Sequence, residues 1–136
     1  NFVDIAAGQG LIYPLLATDD VHYYDGTDTT CSYIMLACAP DATDTELLQA
    51  IREKRFYATQ DPEVHLDIVG DEAVVRCSPA ARITLFTNRV WGRCHSVRGE
   101  NLTEHRAKLD PTETFIRAEV TDANGKMAWS NTIRLK

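Results

Sequence analysis

From about residue 62 onward, apolar and polar positions alternate with a period of two. Val64, Leu66 and Ile68 interleave with His65 and Asp67, and Ile83, Leu85 and Thr87 interleave with Thr84 and Phe86. This alternation predicts half-buried strands, because successive side chains of a strand point to opposite faces. Gly70-Asp71 predicts a turn into a strand over 73–77, and further strands are expected at 91–97 and 114–121. Asn124-Gly125 predicts a tight hairpin of type I′, which needs positive φ at both central residues. Met127, Trp129, Asn131, Ile133 and Leu135 carry the alternation to the end, placing Trp129 on a core-facing side. About six short strands separated by turns predict a small β-sandwich over 62–136. Residues 99–112 predict no strand.

The first 61 residues read differently. Residues 1–7 look like the end of a helix stopped by Gly8 and Gly10. Residues 11–17 form an apolar run of buried-strand length, although Pro14 removes a ladder donor. A polar loop over 18–30, rich in Asp, Gly and Thr, leads to a second apolar run at 31–39, suited to a strand covered on both faces. The clearest helix follows. Thr43 and Glu46 have capping-box spacing, Leu47, Leu48 and Ile51 share a face, and Arg52, Lys54 and Arg55 gather where positive charge suits the helix dipole. A strand–loop–strand–helix order is that of the end of an α/β barrel. The expected organisation is thus α/β followed by all-β, with domains over 1–61 and 62–136 meeting near Asp61-Pro62.

Composition narrows the function classes. The 136 residues are 44% hydrophobic and 25% charged, with a net charge of -6, which fits a folded chain and disfavours a phosphate-backbone binder, so no nucleic-acid partner is expected. No apolar run approaches the roughly 20 residues of a membrane span, and no membrane partner is expected. Cys31, Cys38, Cys77 and Cys94 include no Cys-x-x-Cys pair. They sit in apolar, strand-like segments, where a reduced Cys acts as a small hydrophobe, and a reducing, cytoplasmic setting is the simpler expectation. The opening Asn1-Phe2-Val3-Asp4-Ile5 reads as mid-helix, as expected of a piece of a longer protein.

The stretch from Leu15 to Tyr24 carries the candidate chemistry: an apolar segment runs into Asp19, Asp20 and His22. In an extended backbone Asp20 and His22, two apart, point the same way. A carboxylate and an imidazole converging on one point suit a divalent metal such as Zn, Mn or Fe. Asp19, on the opposite side, would orient a ligand by hydrogen bond. Read by spacing alone, such an Asp-rich loop is more often an acidic, solvated turn than a metal site. His65 is expected to face solvent, and His105 to lie in a solvated loop. Cys94 and His95, as neighbours on a strand, point apart and do not form a nucleophile–base pair. Arg52, Lys54 and Arg55 could bind phosphate, but helix-end charge explains them.

Three stretches, in order, resemble one family. ATDDVHYY (17–24) resembles the late Asp-x-His ligand motif that follows a barrel strand in metal-dependent phosphoesterases of the PHP (polymerase and histidinol phosphatase) superfamily. ELLQAIREKRFYATQDP (46–62) resembles the next segment of the CehA/McbA-like branch, and FIRAEVTDANGKMAWSNTIRL (115–135) its β-rich tail. The resemblance implies that residues 1–61 are the last βα elements of a distorted (β/α)7 barrel, with a C-terminal β-sandwich behind them. It implies a cluster of two or three metals, a water activated by them and a small phosphoester substrate. Asp20 and His22 carry over as metal ligands. The family's early His-x-His and its middle Glu and His ligands have no counterpart here, so this chain alone is expected to be inactive. Relatives often place a further His after the motif, where this chain has Tyr23. The competing reading is a non-catalytic β-sandwich that binds a partner or serves structure. Apolar surface left open in residues 1–61 is expected to favour a homo-oligomer, by strand exchange between copies.

Overall fold

The computed structural model describes residues 2–23, 25–89 and 95–136. Along the chain these form α1 (Phe2–Gly8), β1 (Tyr33–Leu36), α2 (Asp44–Arg52), β2 (Phe56–Thr59), β3 (Val64–Val69), β4 (Glu72–Thr87), β5 (Ser96–Lys108), β6 (Phe115–Thr121), β7 (Met127–Ser130) and β8 (Ile133–Arg134). The protein is mostly antiparallel sheet with two short helices. The strands join one eight-stranded sheet in the order β1-β2-β7-β6-β4-β3, with β5 also on β4 and β8 also on β6.

The shape follows from β4. Its first half pairs with β3 and its second half with β6 on the same flank, while β5 runs along the other flank. Between the halves lies Ser78-Pro79-Ala80-Ala81, where the register with β5 shifts twice. Proline supplies no ladder donor, and a bulge bends the strand that carries it. The bend folds β3 over β6 and β7, closing a core of Val64, Val75, Ile83, Leu85, Ile116 and Val120 with the small residues Ala73, Ala107, Ala118 and Ala128.

The two expected strands at 73–77 and 83–87 are therefore one strand of 16 residues. Residues 99–112, expected to hold no strand, contribute most of β5. Its alternation is hidden because the register shifts on β4 fall opposite it, and because Asn101 sits at φ 53. His105 accordingly lies in a strand, opposite Val75. The expected strand at 11–17 is absent, and these residues run as irregular chain. The run at 31–39 shortens to β1, which pairs antiparallel with β2. β2 in turn pairs with β7, so one sheet continues across Asp61-Pro62. In β7 the buried residues are Ala128 and Ser130. Trp129 is half-buried and outside the core cluster, a phase opposite to the expected one, because the sheet's interior at this point admits only small side chains. The Asn124-Gly125 turn has positive φ at Gly125 alone. The Asp122 and Lys126 backbones close it, and the Asp122 carboxylate accepts from the Asn124 and Lys126 N–H groups, which is a longer hairpin loop than type I′.

Both helices end as their sequence predicts. α2 begins with a complete capping box: the Thr43 hydroxyl accepts from the Glu46 N–H, and the Glu46 carboxylate accepts from the Thr43 N–H at 2.7 Å. α1 ends with the Leu11 N–H on the Ala6 carbonyl and the Gly10 N–H on the Ala7 carbonyl, with Gly10 at φ 84. That paired pattern needs a residue in the left-handed region, which glycine enters without steric cost. The Arg117 guanidinium, only 1% exposed, holds α1 to β6 by two bonds to the Asp4 carboxylate at 2.6 and 2.8 Å. It also bonds Glu119 at 2.7 Å and stacks over Phe86.

Candidate functional site

The acidic loop between α1 and β1 is built from backbone hydrogen bonds to carboxylates. Asp19 accepts from the Thr30 N–H through one oxygen and from the Ser32 N–H through the other, each at 2.6 Å. The Ser32 hydroxyl donates to the Thr18 carbonyl at 3.1 Å, closing the neck of the loop. The N–H of Ser32 above all, with those of Thr30 and Cys31, holds the Asp19 carboxyl below the ordinary carboxylate range. Farther out, one oxygen of Asp28 accepts from the His22 N–H at 2.6 Å and the Tyr23 N–H at 3.1 Å. Its other oxygen is buried and meets no donor among the described residues. Asp25 caps Thr27 through both its backbone N–H and its hydroxyl.

These ties divide the labour among the acidic residues. Asp19 spends both oxygens, and Asp28 one, on the loop's own backbone. Asp20 and His22 are exposed, and their side chains have no partner among the described residues. The backbone that carries them is not the extended strand expected: Asp20 takes φ 54, in the left-handed region. The alternation that would send both side chains to one side therefore does not operate there. Asp19, expected to orient a ligand, instead orients the loop. Among the described residues, no group of three or more His, Cys, Asp or Glu side chains is placed to hold a metal ion. Asp20 and His22 thus offer a carboxylate and an imidazole of the right donor type for a divalent metal, with no third ligand grouped with them among the described residues, whereas a closed site takes four or more.

The loop is anchored to the sheet by residues that spacing did not single out. Asn131 accepts from the Leu15 N–H at 2.9 Å and donates to the Lys54 and Phe56 carbonyls. Lys54 donates to the Ile12 carbonyl at 3.1 Å, and Arg55 bonds the Glu53 carboxylate and the Ala37 carbonyl. Two of the three cations considered for phosphate are thus committed to structure. Asp28 was legible as a turn-forming residue in an Asp-Gly-Thr loop. Asn131 carried no local signal, because its partners lie more than 70 residues away.

The remaining candidates are distributed over the sheet. His65 is exposed and meets Tyr57 edge to face, with ring centroids 5.4 Å apart. His95 lies with Nε2 2.9 Å from Oε1 of the fully buried Glu113, an ion-pair distance without hydrogen-bond alignment. Its expected relation to Cys94 falls outside the described residues. Cys31 and Cys38 are free thiols at the surface, and burial pushes the Cys77 thiol up to about 11. Among the described residues no helix is long and apolar enough to cross a membrane.

No protein-family model matches the chain, and neither the curated proteins nor the solved structures compared with it give a match.

Proposed function

We propose that the chain is the C-terminal portion of a metal-dependent phosphoesterase of the PHP type, with Asp20 and His22 supplying two of the metal ligands. The observation that carries this reading is the division of labour in the acidic loop. Two carboxylates are consumed in holding the backbone, while the carboxylate and imidazole of the Asp-x-His motif stay exposed and uncommitted. The order of the three stretches that resemble the family supports the same reading.

In this reading the remaining ligands come from barrel strands in the rest of the protein, against which the exposed apolar side chains of 2–23 pack. A bound divalent metal would lower the pKa of a coordinated water, the nucleophile for a phosphoester. This chain's own part is to hold Asp20 and His22 at the mouth through Asp19 and Asp28. With two candidate ligands and no third grouped with them among the described residues, the chain by itself is expected not to hydrolyse substrate.

The test uses the full-length protein. Elemental analysis is expected to find zinc, manganese or iron, and p-nitrophenyl phosphate to be hydrolysed. The double variant Asp20→Ala, His22→Ala is expected to lose most of both. A full-length protein that carries no metal, or a double variant that keeps metal and rate, overturns the reading.

A further inference from the structure

The tip of the β6–β7 hairpin carries a reactive pairing that the candidate site does not use. Asn124 precedes Gly125, the only Asn-Gly pair in the chain, and residues 123–126 are exposed. The side-chain amide carbon of an asparagine is open to attack by the backbone nitrogen of the next residue, which makes asparagine chemically labile. Any residue but glycine screens that nitrogen with its Cβ. Apart from chain neighbours, no atom of the described residues lies within 4 Å of where a Cβ on Gly125 would stand.

The hydrogen bonds of the turn leave this nucleophile the least held. The Asp122 carboxylate accepts from the Asn124 and Lys126 N–H groups, each at 2.8 Å. The Gly125 N–H between them reaches only the Asp122 carbonyl, at 3.3 Å, beyond the usual range of about 2.7–3.2 Å. The Asn124 side-chain amide has no partner among the described residues, so it is free to turn toward that nitrogen.

The other asparagines among the described residues lack one condition or both. Asn88 is held at both ends of its amide, by Thr112 and Thr114. Asn131 is held by Leu15, Lys54 and Phe56. They precede Arg89 and Thr132. Asn101 is exposed but precedes Leu102, whose side chain crowds the nitrogen.

We propose that Asn124 is a site of spontaneous deamidation, and that its isoaspartate product loosens the seam between β2 and β7. The Gly125 nitrogen bonds to the Asn124 Cγ and the Cγ–Nδ2 bond breaks. The Gly125 proton passes through water to the leaving nitrogen, which departs as ammonia, and a cyclic imide remains. Water opens the imide at either carbonyl, giving aspartate or isoaspartate. Isoaspartate routes the main chain through the side chain and lengthens the hairpin tip by one carbon. The next residue is the one that ties β7 to β2: the Gln60 N–H donates to the Met127 carbonyl at 2.8 Å, and the Met127 N–H donates to the Gln60 Oε1 at 3.1 Å. The proposal does not depend on the phosphoesterase reading.

The test incubates the folded 136-residue protein at mildly alkaline pH, beside a synthetic peptide of residues 118–126, until the asparagine of the peptide has reacted. Tryptic mapping is expected to show the 118–126 peptide of the protein split into amide, aspartate and isoaspartate forms, with Asn88, Asn101 and Asn131 intact. An isoaspartyl methyltransferase with S-adenosylmethionine is expected to methylate that peptide from incubated protein and not from fresh protein. Asn124→Gln removes no hydrogen bond, so it keeps the fold, and its 118–126 peptide is expected to lose both the mass shift and the methylation. In the isoaspartate fraction, separated by ion exchange, amide exchange at Gln60 and Met127 is expected to quicken. Asn124 still intact when the free peptide has reacted, earlier conversion of Asn88, Asn101 or Asn131, or unchanged exchange at Gln60 and Met127 each overturns the proposal.

Discussion

The segment before β2 and the sheet after it are held by different forces. Every member of the buried apolar cluster lies between Val64 and Ala128. Nine of the eleven large hydrophobic residues left exposed among the described residues lie between Phe2 and Leu48. The sheet is kept by apolar burial. The leading segment is kept by polar ties: Asp4 to Arg117, Asp19 and Asp28 to backbone, and Asn131 and Lys54 to the chain around Leu15 and Ile12. Polar ties hold a shape without burying much surface, so the leading segment keeps an apolar face free, and the sheet does not.

The sharpest way to break this comparison is to truncate matched residues on both sides. Ile116→Ala, in the fully buried cluster, is expected to cost about 2–5 kcal/mol in urea unfolding. Leu16→Ala, at an exposed site, is expected to cost less than about 0.5 kcal/mol. Equal costs would show that the leading segment has a core of its own. Next in size is Asp4→Ala. It strips two hydrogen bonds from a buried guanidinium and is expected to cost about 3 kcal/mol, with faster amide exchange throughout α1.

Cysteine chemistry sharpens the same contrast. Cys77, half-buried beside the core, has its thiol raised from 9.0 to about 11 by burial. At pH 8 its thiolate fraction is therefore about a hundredfold below that of an ordinary thiol. Iodoacetamide is expected to label the exposed Cys31 and Cys38 first, as peptide mass analysis would read directly. Thr43→Ala, which removes the capping box of α2, is expected to cost about 1 kcal/mol.

The smallest effect is on pH. The Asp19 carboxyl titrates below its ordinary 3.8 because the backbone N–H of Ser32, first, then those of Thr30 and Cys31, stabilise the anion. A carboxyl depressed on folding contributes stability above its unfolded pKa, and the contribution is lost as pH falls through the folded value. Amide resonances of Thr30 and Ser32 are expected to hold steady from neutrality to about pH 4 and to move below it. Asp19→Asn is expected to move them already at neutral pH.

Legibility followed the same divide. Strands with local period-two patterns, at Val64–Val69 and Phe115–Thr121, and the capped helix at Asp44–Arg52, were readable because their determinants lie within a few residues. β5 was not, because two register shifts on β4 and the left-handed Asn101 scramble its alternation. The run at 11–17 misled for the opposite reason. It is apolar enough for a strand, but no neighbouring strand pairs with it, and it runs irregularly with Leu15 held by Asn131. At the candidate site, Asp20 and His22 could be picked out by residue type. Their backbone could not, since the left-handed turn at Asp20 depends on Asp19 reaching residues 30 and 32 across the loop.

Asn131 joins the two regions with a single amide, its oxygen taking the Leu15 N–H and its nitrogen giving to the Lys54 and Phe56 carbonyls. An aspartate in its place would set a charged oxygen against two carbonyl oxygens, turning attraction into repulsion with no change of size. The leading segment would then part from the sheet at this seam, well before the tightly packed strands gave way.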